Sequence, residues 1–176
     1  MKKAQINLAP NYFDRYIGKI PDISWREALR EYGPGMYENA MEILLEIGDK
    51  VYDEQKWTIK QIIQHVIDTE RVMFYRALCF ARRDQTHLPG FDENEYAHHA
   101  QVKHRSLINI LDEYKVVRQS GVMLFESLSD EDMLSKGISS DTQLSVLSFA
   151  FIVAGHAVHH MEVIRDRYFP LVRQAW

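Results

Sequence analysis

GHAVHHMEVI, residues 155–164, holds three of the eight histidines of the chain within an otherwise apolar stretch near the C-terminus. Hydrophobic residues around it recur every three or four positions, which predicts a helix over residues 145–168 that ends before Pro170. One face of this helix carries Val146, Phe149, Val153, His156, His160 and Ile164. Because the other members of this face are apolar, the face is predicted to point into a core and to carry two histidines with it.

More helices are predicted upstream. A short helix begins at the N-cap Ser24, where Glu27 stands at the position that completes a capping box. The first bundle helix is predicted to begin at Met36, because apolar residues recur at helical spacing from there. Gly48 is predicted to end that helix as its C-cap.

Two long helices follow, one over residues 58–83 with Thr58 as its N-cap and one over residues 106–128. Residues 84–103 form a connection between them that is too long for a simple turn, and such loops often carry functional contacts. Residues 137–140 are predicted to form a turn, and the chain shows almost no strand pattern and no internal repeat. The predicted fold is therefore all-α: a four-helix bundle with one long crossover connection.

The bundle is predicted to be a single domain over residues 24–176, preceded by an N-terminal arm over residues 1–23. The arm is expected to be irregular, with one short helix near residues 11–17. An apolar face that docks on the bundle or on a second subunit is indicated by Tyr12, Phe13, Tyr16 and Ile17. At the other end of the chain, Trp176 is expected to pack on a partner in a similar way.

Composition excludes several classes of protein. The 176 residues carry a net charge of −4 and no basic cluster, which argues against nucleic-acid binding. The single cysteine, Cys79, lies in an apolar run and excludes both an internal disulfide and a cysteine-based zinc knuckle. The sequence contains no run of about 18 apolar residues, so no membrane span is predicted. The N-terminus lacks the apolar stretch of a signal peptide. We therefore expect a cytoplasmic protein with no membrane partner.

His156 and His160 lie one helical turn apart, so both imidazoles can reach one metal ion from the same side. An isolated pair at this spacing is a weak signal. His65 strengthens it, because it interrupts the core face of the predicted helix over residues 58–83, between Ile62 and Val72. Burying three neutral imidazoles without partners costs on the order of a few kcal/mol each. One divalent ion would satisfy all three and keep an open position, as catalytic sites do; the alternative is buried histidines that are satisfied by hydrogen bonds, with no metal.

Two residues beside these histidines are candidates for proton transfer. His159 precedes His160 and points about 100° away from the metal-binding face, so it is predicted to flank the site rather than to bind the ion. Asp68 stands one turn after His65. It can accept a hydrogen bond from an imidazole N–H, receive a proton during turnover, or face solvent, and the sequence does not choose among these.

Other polar residues of the second helix and of the loop have weaker signals. Arg76, Arg82 and Tyr96 are candidates for binding an anionic substrate, although each is also compatible with helix-flank packing. Glu70 points to another side of its helix and is predicted to form a structural ion pair with Arg71 or Arg76.

Three segments carry a family resemblance: WTIKQIIQHVIDTE (57–70), LPGFDENEY (88–96) and IVAGHAVHHMEVIRDRY (152–168). In their order and spacing they resemble the DinB/YfiT-like family of metal-dependent enzymes, over roughly residues 36–168. The resemblance implies a four-helix bundle with a three-histidine metal site. By position in these motifs, the ligands would be His65, His156 and His160.

The resemblance also implies zinc or nickel as the ion, a bacterial source and a homodimer. Branches of the family include bacillithiol-dependent S-transferases, mycothiol-dependent isomerases and metal-dependent hydrolases, and no residue set in this sequence selects one. The predicted function is a metal-dependent enzyme that activates a small nucleophile, water or a low-molecular-weight thiol, against a small-molecule substrate. Asp68 or His159 would carry the proton. A non-catalytic metal-binding bundle of a stress response is the alternative.

Overall fold

A computed structural model describes residues 1–6 and 12–172 of the chain. The helices of this part are α1 (Asp14–Ile17), α2 (Trp25–Glu31), α3 (Pro34–Glu38), α4 (Met41–Ile47), α5 (Ile59–Ala81), α6 (Glu93–His99), α7 (Leu107–Glu126), α8 (Asp130–Leu134) and α9 (Val146–Val163). Short 3₁₀ or π-helical turns are formed by Lys3–Gln5, Ile164–Tyr168 and Phe169–Leu171. Two strands, β1 (Lys136–Ser139) and β2 (Thr142–Ser145), precede α9. The predicted helical bundle is confirmed.

Capping residues fix where three of the helices begin or end. The Thr58 hydroxyl accepts a hydrogen bond from the Gln61 backbone N–H, and the Gln61 side chain accepts one from the Thr58 N–H (2.8 Å), which completes a capping box at the start of α5. The predicted capping box at Ser24 is also present. Gly48 ends α4 with a positive φ of 59°, a backbone conformation that favours glycine. These three predictions of helix ends are confirmed.

The core is organised around α9, which packs against α5, α1 and α2, while α5 also packs against α7. Every residue from 146 to 157 on α9 is buried. A helix that is apolar on all sides is a core element, and the other helices surround it. The buried Cys79 belongs to this core, as predicted.

The helix from Val146 to Leu171, counted through its terminal turns, is long and apolar enough to cross a membrane by length and composition alone, although no such segment was expected. In the structure, 67% of its apolar window is buried inside the bundle. The core helix of a soluble bundle has the same length and composition, and the burial of α9 places it in that class.

The first predicted bundle helix is interrupted. Ala40 has backbone angles outside the helical region (φ −102°, ψ 7°), so α3 and α4 are separate helices. Before the break, Tyr37 is fully buried and its hydroxyl donates to the carbonyl of Ala157 (2.9 Å); after it, Leu44 and Ile47 are buried. Tertiary packing therefore outweighs the continuous apolar pattern of this segment.

A β-hairpin stands where only a turn was predicted at residues 137–140. β1 and β2 pair antiparallel with Gly137 opposite Leu144. Ser140 and Asp141 connect them and both have positive φ (50° and 57°). Two such residues are the geometry of a type I′ turn, which fits the twist of a hairpin. Ser-Asp is not the Asn-Gly or Asp-Gly pair typical of this turn, so the sequence signal is weak.

Glu70 forms its ion pair with neither of the predicted partners. It is fully buried and both of its oxygens accept hydrogen bonds from Arg118 on α7. Arg118 Nη1 also donates to the carbonyls of Leu29 (2.6 Å) and Tyr32 (2.8 Å), at the end of α2. The prediction was wrong because it considered only partners on the same helix, whereas the actual partner lies 48 residues away.

Candidate metal centre

His65 on α5 faces His156 and His160 on α9. The Nε2 atom of His156 lies 3.1 Å from Nε2 of His65 and 3.0 Å from Nε2 of His160. One ligand atom from each ring lies within 4.8 Å of the other two. His65 and His156 are 91 residues apart, so packing of α5 against α9 creates this cluster. The structure thus brings together the three side chains that helical spacing indicated.

The geometry of the three rings suits a cation better than hydrogen bonds among them. A neutral imidazole nitrogen either donates one hydrogen or accepts one, so Nε2 of His156 cannot form regular hydrogen bonds with both neighbours. Nitrogen ligands about 2.0–2.1 Å from one ion lie about 2.8–3.4 Å apart at ligand–metal–ligand angles between 90° and tetrahedral. Both distances around His156 fall in that range. The residues present therefore fit a divalent metal ion.

Burial keeps these imidazoles neutral. It lowers the pKa of His65 to about 4, with a smaller contribution from the nearby His159. The pKa values of His156 and His160 also lie well below their usual range, because of burial first and neighbouring histidines second. The neutral ring is the form that binds metal ions, so the cluster is in its binding form at neutral pH.

The second ring nitrogens of His65 and His156 have an unusual environment. Both Nδ1 atoms are buried, and no residue in the described part of the chain pairs with them. Asp68 was one predicted acceptor for such an N–H, but it instead accepts hydrogen bonds from Gln64 Nε2 (3.0 Å) and Arg71 Nη1 (3.3 Å). Hydrogen bonds to the Nδ1 atoms therefore do not orient the rings here, in contrast to most metal-binding histidines.

Aromatic side chains hold the rings instead. The Trp57 ring lies 4.9 Å from the His65 ring, and the Tyr16 ring meets that of His156 edge-on at 5.2 Å between centroids. Tyr16 also contacts the His159 ring at 5.6 Å. Contacts of this kind contribute about 0.5–1.5 kcal/mol each and restrict ring rotation.

Tyr16 reaches the site because α9 lacks a side chain at Gly155. A Cβ atom at Gly155 would overlap the backbone of Tyr16, including its carbonyl oxygen. Glycine therefore allows α1 to lie directly against α9, next to His156. In the predicted arm, Phe13 and Tyr16 are buried as expected, while Tyr12 is about half exposed. Asn11, with which the arm's short helix was predicted to begin, and Trp176 lie outside the described residues.

A cavity of about 520 Å³ opens beside the three histidines. This volume is in the range of small-molecule sites. Its walls come from the N-terminal segment, α5, the loop before α6, the hairpin turn and α9. The lining residues are Tyr12, Phe13, Arg15, Tyr16, Trp57, His65, Thr69, Met73, Arg76, Gly90, Phe91, Glu93, Asn94, Ser140, Ile152, His156, His159 and His160.

His159 lines this cavity beside the three clustered histidines and is half-buried. Burial lowers its pKa, and the charges of Lys19 and Arg15 lower it further. Asp68 is not among the lining residues and is partly exposed in its contacts with Gln64 and Arg71.

Of the three residues predicted as candidates for anion binding, the structure places one in the cavity. Arg76 lines the cavity, whereas Arg82 and Tyr96 are exposed outside it, and Tyr96 packs against Phe91 (5.0 Å between centroids). Thr69 and Met73 also line the cavity, although neither was predicted to do so. Their signal was present, because they follow His65 by four and eight positions and so share its face of α5.

A family model for the DinB superfamily matches residues 5–164. The chain belongs to the DinB superfamily. Its fold resembles that of YfiT from Bacillus subtilis, with a TM-score of 0.69 and 15% sequence identity over 96% of this chain and 92% of YfiT. YfiT is described as "a probable metal-dependent hydrolase with an unusual four-helix bundle topology". No match to this DinB-superfamily chain is found among curated proteins.

Proposed function

We propose that this DinB-superfamily protein is a metal-dependent enzyme that acts on a small molecule. His65, His156 and His160 would hold the ion, with zinc or nickel as the expected metal. The observation that carries the proposal is the convergence of three Nε2 atoms on the wall of a cavity of about 520 Å³. A purely structural ion would have no need of an adjoining cavity of this size.

The number of ligands supports a catalytic ion. Within the described residues, the cluster consists of three histidines and contains no cysteine, aspartate or glutamate. The sequence segments 7–11 and 173–176, which lie outside the described residues, contain none of the ligand types His, Cys, Asp or Glu either. Three protein ligands are typical of catalytic sites, which keep a position for water or substrate, whereas structural sites are usually closed by four. His160 is partly exposed, which gives access to the site.

A divalent ion held by three imidazoles supplies Lewis-acid chemistry and lowers the pKa of a bound water or thiol, so that a nucleophile is available at neutral pH. The residues of the chain supply the rest. Tyr16 packs against the His156 ring and Trp57 against the His65 ring, which helps to hold both imidazoles in position. His159 lies in the cavity wall beside them, where its ring can accept a proton. We therefore favour His159 over Asp68 as the proton carrier, because Asp68 is held outside the cavity by Gln64 and Arg71.

Two reactions fit this arrangement. In hydrolysis, the oxygen of water bonds to the carbonyl carbon of an ester or amide and the bond to the leaving group breaks, while His159 takes the proton and passes it to that group. In thiol transfer, the sulfur of a low-molecular-weight thiol bonds to an electrophilic carbon, a halide leaves, and the thiol proton goes to His159. The description of YfiT favours testing hydrolysis first.

Elemental analysis of protein purified without a polyhistidine tag tests the ion without assuming a reaction. We expect about one equivalent of zinc or nickel in the native protein. His65→Ala, His156→Ala and His160→Ala should each lose it, and His98→Ala, an exposed histidine on α6, should retain it. Loss of metal in none of the three variants would contradict the proposal.

The reaction is then tested with the metal-loaded protein. One panel contains ester and amide substrates, and the other contains low-molecular-weight thiols with a chloro-aromatic acceptor. Turnover in one panel that is abolished by His160→Ala assigns the reaction class. A fully loaded protein that is inactive on both panels would favour the non-catalytic, stress-response alternative.

Assembly and location are also proposed. We expect a homodimer, as the family resemblance implies, and a cytoplasmic location, which agrees with a single cysteine that cannot form an internal disulfide. Light scattering coupled to size-exclusion chromatography tests the first, and fractionation of the native host tests the second.

A further inference from the structure

One wall of the cavity follows a single face of α5. His65, Thr69, Met73 and Arg76 line it and are spaced by four, four and three residues, so they stand above one another along the helix. Eleven residues of helix rise about 16 Å, which makes this wall long enough for an extended molecule. The candidate metal site lies at one end of the wall and Arg76 at the other.

The Arg76 guanidinium turns back toward the histidines. Its Nη1 lies 3.7 Å from Sδ of Met73, one turn closer to the N-terminus of α5, and its Nη2 donates to the carbonyl of Pro89 (2.7 Å). These contacts use only part of its five N–H donors. The Phe91 ring lies 5.8 Å from the guanidinium carbon. These contacts hold the Arg76 guanidinium in place and leave some of its N–H donors available to a ligand.

Arg76 is a buried cation, only 3% exposed. No described carboxylate lies within ion-pair distance of it, and the segments outside the described residues contain no Asp or Glu side chain. Glu93 lines the same cavity but is exposed and forms no ion pair with Arg76 in the described structure. Burial without a counter-charge is costly for a guanidinium, which stays protonated.

The other buried arginine among residues 1–6 and 12–172, Arg118, shows how this fold neutralises such a group when its role is structural. Arg118 is 5% exposed and binds both oxygens of the fully buried Glu70. Arg105, which is half-buried, has Glu113 as its partner. Arg76 differs from both, since its open side faces a cavity rather than a carboxylate.

Thr69 adds a second polar group to the same wall. It is 4% exposed, lines the cavity, and its Oγ1 has no hydrogen-bond partner among the described residues. A buried hydroxyl without a partner costs about 1–3 kcal/mol, which a bound ligand can recover. Thr69 lies between His65 and Arg76, where an extended ligand would pass it.

We infer that the cavity binds a small organic carboxylate, whose carboxylate group pairs with Arg76 and accepts a hydrogen bond from Thr69, and whose apolar body packs on Met73 and Phe91. The planar guanidinium fork matches a carboxylate, and five aromatic side chains, Tyr12, Phe13, Tyr16, Trp57 and Phe91, line the same cavity. The reacting end of the molecule then points toward the three histidines. The orientation of the ligand toward the histidines rests on the proposed function, whereas recognition of the carboxylate by Arg76 does not.

The experiment measures binding without turnover. The probes are 4-phenylbutyrate and its uncharged analogue 4-phenylbutanamide, titrated by calorimetry into metal-free protein at pH 8, where His65, His156 and His160 are neutral. The native protein should bind the carboxylate about 10- to 100-fold more tightly than the amide, as expected for a charge-assisted hydrogen bond. Arg76→Gln should lose this preference and Arg76→Lys should keep part of it. Thr69→Val should weaken carboxylate binding by about 3- to 10-fold.

Arg15→Gln is the matched control, because Arg15 lines the same cavity as an exposed cation. It should retain the preference for the carboxylate. Equal binding of the two probes by the native protein would overturn the inference, as would loss of the preference in Arg15→Gln with retention in Arg76→Gln. If Arg76→Gln does not fold, the affinities of the native protein and of Thr69→Val for the two probes still test whether the cavity binds a carboxylate. Because metal is absent, failure here is distinct from failure of the proposed enzymatic function.

Discussion

Glu70 and Arg118 form an ion pair in the interior of the bundle, with both carboxylate oxygens of Glu70 accepting hydrogen bonds from Arg118. The pair links α5 to α7, and the bonds from Arg118 to the carbonyls of Leu29 and Tyr32 extend the link to the end of α2. Because both partners are almost fully buried, removing one leaves the other charge without compensation.

We therefore expect Glu70→Gln to lower the free energy of unfolding by about 3–5 kcal/mol. Glu31→Gln is the matched control, since Glu31 pairs with Arg30 on the surface and should change stability by less than about 0.5 kcal/mol. Urea unfolding followed by circular dichroism gives both values. Equal effects of the two substitutions on the free energy of unfolding would show that the buried ion pair stabilises the fold no more than the surface pair does.

Binding of an ion should stabilise the protein. A ligand that binds only the folded state contributes about 2.7 kcal/mol when its concentration is 100 times its Kd. For a domain of this size, that corresponds to a rise in Tm of roughly 5–10 °C. Calorimetric scans of the metal-free protein with and without zinc measure the shift.

His156→Ala should abolish this stabilisation, because its Nε2 lies between those of His65 and His160. The exposed His99 provides the control, and His99→Ala should show the full shift. An undiminished shift in His156→Ala would place the ion elsewhere.

Gly155→Ala should displace the N-terminal segment from α9. The added methyl group would overlap the backbone of Tyr16, and overpacking of this kind costs about 1–3 kcal/mol. Hydrogen exchange at residues 12–20 should become faster, while exchange in α7 should stay unchanged. Gly35→Ala adds the same methyl group where no atom lies within 4 Å, so it should leave both regions as they are.

Glu113 allows a prediction of pH dependence. Partial burial raises its pKa, but hydrogen bonds and charges from Arg71 and Arg105 outweigh this effect, and the net pKa lies below the usual value of 4.5. A carboxylate with a depressed pKa in the folded state stabilises the fold above its unfolded pKa, and this contribution is lost as the pH falls through the folded value. Glu113→Gln should therefore be less stable than the native protein at pH 7, by about 1 kcal/mol.

The difference between Glu113→Gln and the native protein should shrink below pH 4.5, where Glu113 becomes protonated. Stability measured by urea unfolding at several pH values tests this. Glu126→Gln serves as control, because Glu126 pairs with Arg26 at 3.9 Å and both side chains are more than half exposed. A difference that stays constant from pH 7 to pH 3 would contradict the assignment.

The sequence was sufficient where the signal is local or periodic. Ser24, Thr58 and Gly48 mark helix ends through their own backbone and side-chain chemistry, so they could be recognised without the tertiary structure. The histidines at 156 and 160 interrupt an apolar face at a spacing of one turn, and this pattern survives in the structure. His65 could be added because it breaks a second apolar face in the same way.

The sequence was not sufficient where a distant part of the chain determines the outcome. Glu70 has arginines nearby on its own helix, but burial against α7 selects Arg118. Asp68 has the spacing of a partner for His65, yet Gln64 and Arg71 hold its oxygen at the edge of the bundle. No short-range pattern indicates which way such side chains turn.

The cavity combines two kinds of wall. α5 and α9 contribute the clustered histidines and also much of the hydrophobic core, so a substitution in either helix can affect folding as well as the proposed ion site. The segment 12–16, Trp57, residues 90–94 at the start of α6 and the hairpin turn at Ser140 form the rest of the cavity and lie outside those two helices. Substitutions in these peripheral walls can therefore change the shape of the cavity while the three histidines keep their places on α5 and α9.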